Sequence, residues 1–92
     1  MARVTVVESA IPQDTERSTV KSLRKALTVL NAIASADRPL TVAEVAINSG
    51  IARPTAYRFV QTLVAAGYLA QDPGDSRLSM GFAVLPLASS LL

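Results

Sequence analysis

A glycine between two short amphipathic segments constrains the fold of this chain more than any other feature. Asn48-Ser49-Gly50 interrupts the helical spacing of apolar residues, and Gly50 can adopt the positive φ angle that a tight turn between two helices needs. Before it, Thr41 and Glu44 have the spacing of a capping box, so a helix should begin at Thr41. The sequence therefore predicts a short capped helix, a glycine turn and a second helix.

The second helix is predicted over residues 53–66, because Pro54 suits a first helical turn and Gly67 suits the position just after a helix. At about 100° per residue, one side of this helix is apolar: Ala56, Phe59, Val60 and Leu63. The opposite side is mostly polar: Pro54, Tyr57, Arg58 and Gln61, with Thr55 at its edge. Arginine and glutamine can each form two hydrogen bonds with base edges in a DNA major groove. The alternative is an ordinary amphipathic helix whose polar side is only solvated.

Another amphipathic helix is predicted upstream, with Ser22 as its N-cap and its end near Ala36, before the stop signal Asp37-Arg38-Pro39. Three cations cluster at its start, where they oppose the helix dipole: Lys21, Arg24 and Lys25. Phosphate contact would explain this cluster, and chance explains it equally well.

A β-hairpin is predicted after the second helix, with short strands at 68–70 and 77–80. In the loop between them, Pro73-Gly74 suits the central positions of a type II turn. Arg77 flanks the tip and could reach a nucleic-acid backbone, whereas Asp72 and Asp75 would repel phosphate and oppose deep insertion. The predicted fold class is therefore mostly α with a small β-hairpin, a winged helix-turn-helix.

The two ends of the chain are patterned differently from the middle. Residues 1–19 are predicted to form a flexible arm, and contact of its Arg3 and Arg17 with DNA is the alternative. Residues 81–92 are apolar around most of a helix, so they should be buried against a second chain or another domain. Pro86 should make that helix begin late or bend.

Composition narrows the possible functions. The 92 residues include no Cys and no His, which removes thiol and imidazole chemistry, disulfides and the usual zinc sites. No glycine-rich phosphate loop or close carboxylate pair occurs either, so neither an enzyme nor a cofactor is predicted. No signal peptide or membrane span is evident, and a cytoplasmic location is predicted. Residues 18–70 hold six basic and two acidic side chains, a local charge of +4 that suits an anionic partner.

Several short motifs follow one another in a fixed order: Ser22-Leu23-x-x-Ala26-Leu27, Pro39-Leu40-Thr41-Val42-x-Glu44-Val45-Ala46, Gly50-Ile51-Ala52-Arg53-Pro54-Thr55-Ala56-Tyr57-Arg58-Phe59, Leu63-x-x-x-Gly67-Tyr68-Leu69 and Leu78-Ser79-Met80-Gly81. Together they resemble the N-terminal DNA-binding domain of IclR-type bacterial transcriptional regulators. The resemblance implies a winged helix-turn-helix over residues 20–80 that binds operator DNA as a homodimer. It also implies that residues 81–92 begin a linker helix to an effector-binding domain for a small organic ligand, absent from this chain. Met80-Gly81 replaces the Leu-Gly common in the family, and Pro86 is unexpected in the linker helix.

The sequence thus predicts sequence-specific binding to double-stranded DNA, with the recognition helix 53–66 in the major groove of a palindromic operator. Arg58 and Gln61 are the candidates for base contacts, and the candidates for phosphate contacts on the same face are Arg53, Thr55 and Tyr57, beside Pro54. Weaker candidates for backbone contact are Lys21, Arg24, Lys25 and Arg77. Tyr57 could instead pack under the wing. The alternative function is a winged-helix module for protein–protein contact, which would not need the outward arginine, glutamine and tyrosine.

Overall fold

The computed structural model describes residues 20–92, so the predicted arm with Arg3 and Arg17 lies outside the described residues. The elements are α1 Lys21–Ala34, α2 Val42–Ser49, α3 Arg53–Ala65, β1 Leu69–Gln71, β2 Leu78–Met80 and α4 Val84–Ser89. The strands β1 and β2 pair antiparallel, with Leu69 opposite Met80. This arrangement confirms the predicted winged helix-turn-helix.

The capping box and the glycine turn form as predicted. The Glu44 amide donates to the Thr41 hydroxyl at 3.2 Å, and the Thr41 amide donates back to a Glu44 carboxylate oxygen at 2.9 Å. Gly50 has a φ of 69°, and the next amide, of Ile51, donates to the Ala46 carbonyl at 3.1 Å. These contacts stop α2 and set the direction in which α3 leaves the turn.

The start of α1 differs from the prediction. Val20, not Ser22, is the N-cap, and no side chain caps this helix. The Arg24 amide donates to the Val20 carbonyl at 3.0 Å, so Ser22 already lies inside the first turn. The prediction was wrong because backbone hydrogen bonding begins before the residue whose side chain suits a cap.

The loop of the wing also differs from the prediction. A type II turn would need a positive φ at Gly74, but among the described loop residues it is Ser76 that has one, 62°. The Asp72 carboxylate accepts the amides of Gly74 at 2.6 Å and Asp75 at 3.3 Å, and the Ser76 amide donates to the Asp72 carbonyl at 2.8 Å. The side chain of Asp72 therefore determines a longer turn, and the left-handed residue moves to its end.

The core lies where α1, α2, α3 and the hairpin meet. Its buried side chains are Val29, Ile33, Leu40, Val45, Val60, Leu69 and Leu78. Leu40 and Leu78 also form an antiparallel bridge, in which their amides and carbonyls exchange hydrogen bonds of 3.1 and 2.7 Å. This bridge joins the segment before α2 to the wing, so the wing is fixed to the helices through the core.

The segment after the wing forms a short helix that begins late, as Pro86 indicated. Pro86 is the third residue of α4, inside the first turn, where a missing N–H breaks no helical hydrogen bond. No residue of α4 is buried. Within the described residues Val84 is half-buried, whereas Leu85 and Leu87 remain mostly exposed to water.

Candidate nucleic-acid interface

The two sides of α3 have the exposures that its apolar spacing predicted. Ala56 and Val60 are completely buried, and the residues of the opposite side are exposed: Arg53, Pro54, Tyr57, Arg58 and Gln61. Thr55, at the edge, is half-buried. The Tyr57 side chain is 52 % exposed, so it does not pack beneath the wing. Burial of Val60 in the core therefore fixes which side of α3 faces solvent.

An open groove runs between α3 and the wing. Its walls come from the start of α2, the outward side of α3 and the wing: Val42, Arg53, Pro54, Tyr57, Arg58, Gln61, Gln71 and Ser76. The Gln71 amide donates to the Ser76 carbonyl at 3.1 Å, which holds the wing side of the groove together. The structure thus brings most of the predicted face of α3 together with two wing residues that the sequence did not identify.

The charges in this groove are available to a partner. Within residues 20–92, neither Arg53 nor Arg58 forms an ion pair, so both guanidinium groups keep their donors free. The Thr62 hydroxyl is occupied, because it donates to the Arg58 carbonyl at 3.0 Å. A guanidinium and an amide on adjacent turns of an exposed helix can reach hydrogen-bonding groups in a groove that admits a helix.

Arg77 is in a different environment from the α3 arginines. Its guanidinium lies 3.5 Å from a Glu44 carboxylate oxygen and 3.9 Å from Asp75, and it donates to the Pro39 carbonyl at 3.4 Å. These contacts join the wing to the start of α2. Contact of Arg77 with a DNA backbone therefore stays a prediction, and the side chain has competing partners within the chain.

Glu44 is the centre of that cluster, a role that the sequence did not indicate beyond the capping box. Arg38 donates to both carboxylate oxygens, at 3.2 and 2.8 Å. The hydrogen bond from Arg38 lowers the pKa of Glu44 to about 2, with a further contribution from the Thr41 amide. The carboxylate consequently stays ionised and holds the two arginines, Arg38 and Arg77, beside the cap of α2.

The predicted cations of α1 lie apart from the groove walls. Lys21 and Lys25 are exposed in the first turns of α1, and Arg24 is half-buried. Their contact with phosphate stays a prediction.

In the part of the chain that the structure describes, no helix has the length and apolarity to cross a membrane.

Comparison with known proteins identifies the same kind of domain. The profile of the IclR helix-turn-helix domain matches residues 22–73. The glycerol operon regulatory protein of Streptomyces griseus is 32 % identical over 73 residues, which are 79 % of this chain and 29 % of that protein. The regulator KdgR of Dickeya chrysanthemi is 26 % identical over 92 residues, the whole of this chain and 30 % of that protein. The chain thus spans less than a third of the length of these relatives.

Solved structures agree with the sequence comparisons. An IclR family transcriptional regulator from Brucella abortus superimposes with a TM-score of 0.75 at 31 % identity, over 82 % of this chain and 28 % of that one. A regulator from Rhodococcus has a TM-score of 0.68 at 35 % identity, over 78 % of this chain and 28 % of that one. The winged helix-turn-helix described above is therefore the fold that these regulators share.

Proposed function

The chain belongs to the IclR family of DNA-binding transcriptional regulators, and on that premise we propose that α3 enters the major groove of a palindromic operator. The observation that carries this proposal is the exposed side of α3. It holds unpaired guanidinium groups and the Gln61 amide opposite a completely buried Val60. Such a side is complementary both to phosphates and to base edges.

The groups on this side divide between two tasks. Arg58 and Gln61 lie furthest along the outward side and read base edges, because each can form two hydrogen bonds with one base. Arg53, half-buried Thr55 and the Tyr57 hydroxyl hold phosphates near the start of α3. Pro54 lies between Arg53 and Thr55 in the first turn of α3. We assign contacts with the DNA backbone further from α3 to Lys21, Arg24, Lys25 and Arg77.

A homodimer is part of the proposal, because one module reads few base pairs. Exposed apolar side chains at the N-cap and in the first half of α1 suit a second copy: Val20 is 63 % exposed, Leu23 60 % and Leu27 42 %. The exposed tail from Phe82 offers further apolar surface. Two recognition helices on a palindrome should lie about 34 Å apart, one turn of DNA, or a multiple of it. Sedimentation of the free chain at high concentration should give a dimer, and a monomer would contradict dimerisation of this chain.

The remaining assignments follow from the family. We take residues 20–80 as the DNA-binding domain and residues 81–92 as the beginning of a linker helix. A small-molecule effector would act through a further domain outside these residues, and the site of action would be the cytoplasm. The relatives are transcriptional regulators, and no catalytic activity is proposed for this chain.

The proposal is tested by selecting bound sequences from a pool of random duplexes. We expect a palindromic consensus, and binding without any consensus would contradict sequence-specific recognition. Arg58→Ala should lose about 1–3 kcal/mol of discrimination at one position of each half-site. Arg58→Lys is the charge-matched control: it should keep the salt dependence of wild type but lose the base preference, since a lysine cannot reproduce the two-pronged contact. Arg53→Ala should weaken all sequences alike and reduce the salt slope by about one.

A further inference from the structure

The groove between α3 and the wing contains an apolar strip that its proposed phosphate and hydrogen-bond contacts leave unused. Two exposed residues of α3, Pro54 and Tyr57, supply this strip, together with the half-buried Val42 at the start of α2. The polar residues Arg53 and Arg58 lie on the same surface. Attraction between the two arginines and the DNA phosphates would bring the apolar strip against the duplex. The strip would then contact an apolar group of the DNA.

We propose that the ring of Tyr57, together with Val42 and Pro54, contacts the C5 methyl group of a thymine and makes thymine a specified base in each half-site. This inference rests on the proposed function. In the major groove of DNA the thymine methyl is the apolar group that distinguishes one base from the others. The Tyr57 ring is positioned for such a contact because it is 52 % exposed and lies one residue before Arg58.

Two parts of Tyr57 have separate tasks in this arrangement. The hydroxyl is at the far end of the ring and keeps its proposed contact with phosphate, which is the same for every sequence. The ring face supplies the methyl contact, which depends on the base. Replacing the side chain by phenylalanine removes the first contact and keeps the second.

The expected effect is small and measurable. Burial of one methyl-sized group is worth about a fourfold change in Kd. Deoxyuridine lacks the C5 methyl of thymidine and keeps the same hydrogen-bonding groups, so a single substitution in the duplex isolates the contact. 5-Methylcytosine adds the same methyl group to cytosine and provides the reciprocal substitution.

The experiment uses the consensus duplex selected by the full chain, with each thymidine replaced in turn by deoxyuridine. Wild type should lose about fourfold in affinity at one position per half-site. Tyr57→Phe should bind every duplex more weakly but show the same ratio between thymidine and deoxyuridine. Tyr57→Ala should show a ratio near one, and circular dichroism should confirm that this exposed substitution leaves the fold intact. At the same position, cytosine should bind more weakly than 5-methylcytosine for wild type.

Two outcomes would overturn the inference without affecting the proposed function. The first is a consensus in which no deoxyuridine substitution changes the affinity. The second is a loss of the same size in wild type and in Tyr57→Ala, which would show that the Tyr57 ring does not make the methyl contact. Failure to select any consensus would instead contradict sequence-specific binding itself.

Discussion

Gly81→Ala tests how closely the wing and the end of α3 are packed. A Cβ atom at Gly81 would overlap the Gly67 carbonyl oxygen, and would lie 2.9 Å from the Gly67 carbonyl carbon and 3.0 Å from the Leu69 nitrogen. All of these atoms belong to the backbone, so no side-chain rotation relieves the overlap. The chain must separate at the point where the second strand of the wing passes the end of α3.

The cost of that separation follows from the hydrogen bonds on either side. The Gly81 amide donates to the Tyr68 carbonyl at 2.9 Å, and the Ala83 amide donates to the Gly67 carbonyl at 3.0 Å. A shift of about 1 Å would break both bonds, each worth about 1 kcal/mol. Together with overpacking of about 1–3 kcal/mol, and less the up to 1 kcal/mol that alanine gains by restricting the unfolded chain, the net loss is about 2–5 kcal/mol.

Thermal unfolding followed by circular dichroism measures this loss. For a domain of this size, about 2–5 kcal/mol corresponds to a decrease in Tm of roughly 8–40 °C. Gly74→Ala is the matched control, because its Cβ atom would meet a single side-chain oxygen, Asp72 Oδ1, at 3.1 Å. If Gly81→Ala melted within 2 °C of wild type, or above Gly74→Ala, the packing argument would be wrong.

Two further predictions concern the buried side of α3 and the ion pairs of Glu44. Val60→Ala should lower the free energy of unfolding by about 2–3 kcal/mol, because Val60 is completely buried. Denaturant titration measures this loss. The control is Ile47→Ala, at a site 78 % exposed, which should stay within about 0.5 kcal/mol of wild type. Glu44→Gln should be less stable than wild type at neutral pH, and this difference should shrink as the pH falls from the ordinary Glu pKa of 4.5 towards the lowered pKa of about 2. A difference that did not change with pH would contradict the role of the Glu44 carboxylate.

Features that depend on near neighbours in the chain were predictable from the sequence. The capping box of Thr41 and Glu44 and the turn at Gly50 each depend on residues within one or two helical turns. The outward side of α3 followed from helical periodicity, because the same spacing that buries Val60 exposes Arg58. Local hydrogen bonding and periodicity are both encoded directly in the order of residues.

Features that depend on competition or on distant contacts were not predictable. In the wing loop, Pro73-Gly74 favours one turn, but the Asp72 carboxylate accepts two amides and stabilises another. Arg77 contacts Pro39, 38 positions away, and shares Glu44 with Arg38. Only the Leu40–Leu78 bridge brings these residues together, and no spacing rule in the sequence connects them. The sequence analysis therefore predicted contact of Arg77 with the DNA backbone and missed its partners inside the chain.

The central claim is that the exposed side of α3 is the surface that meets DNA. The most direct measurement is a titration of the ¹⁵N-labelled chain with the selected duplex, followed through its backbone amide resonances. The account predicts that the largest chemical-shift changes fall within residues 53–62 and at the two wing residues that line the groove, Gln71 and Ser76. Largest changes on α1 and α4, with the amides of α3 unchanged, would contradict it.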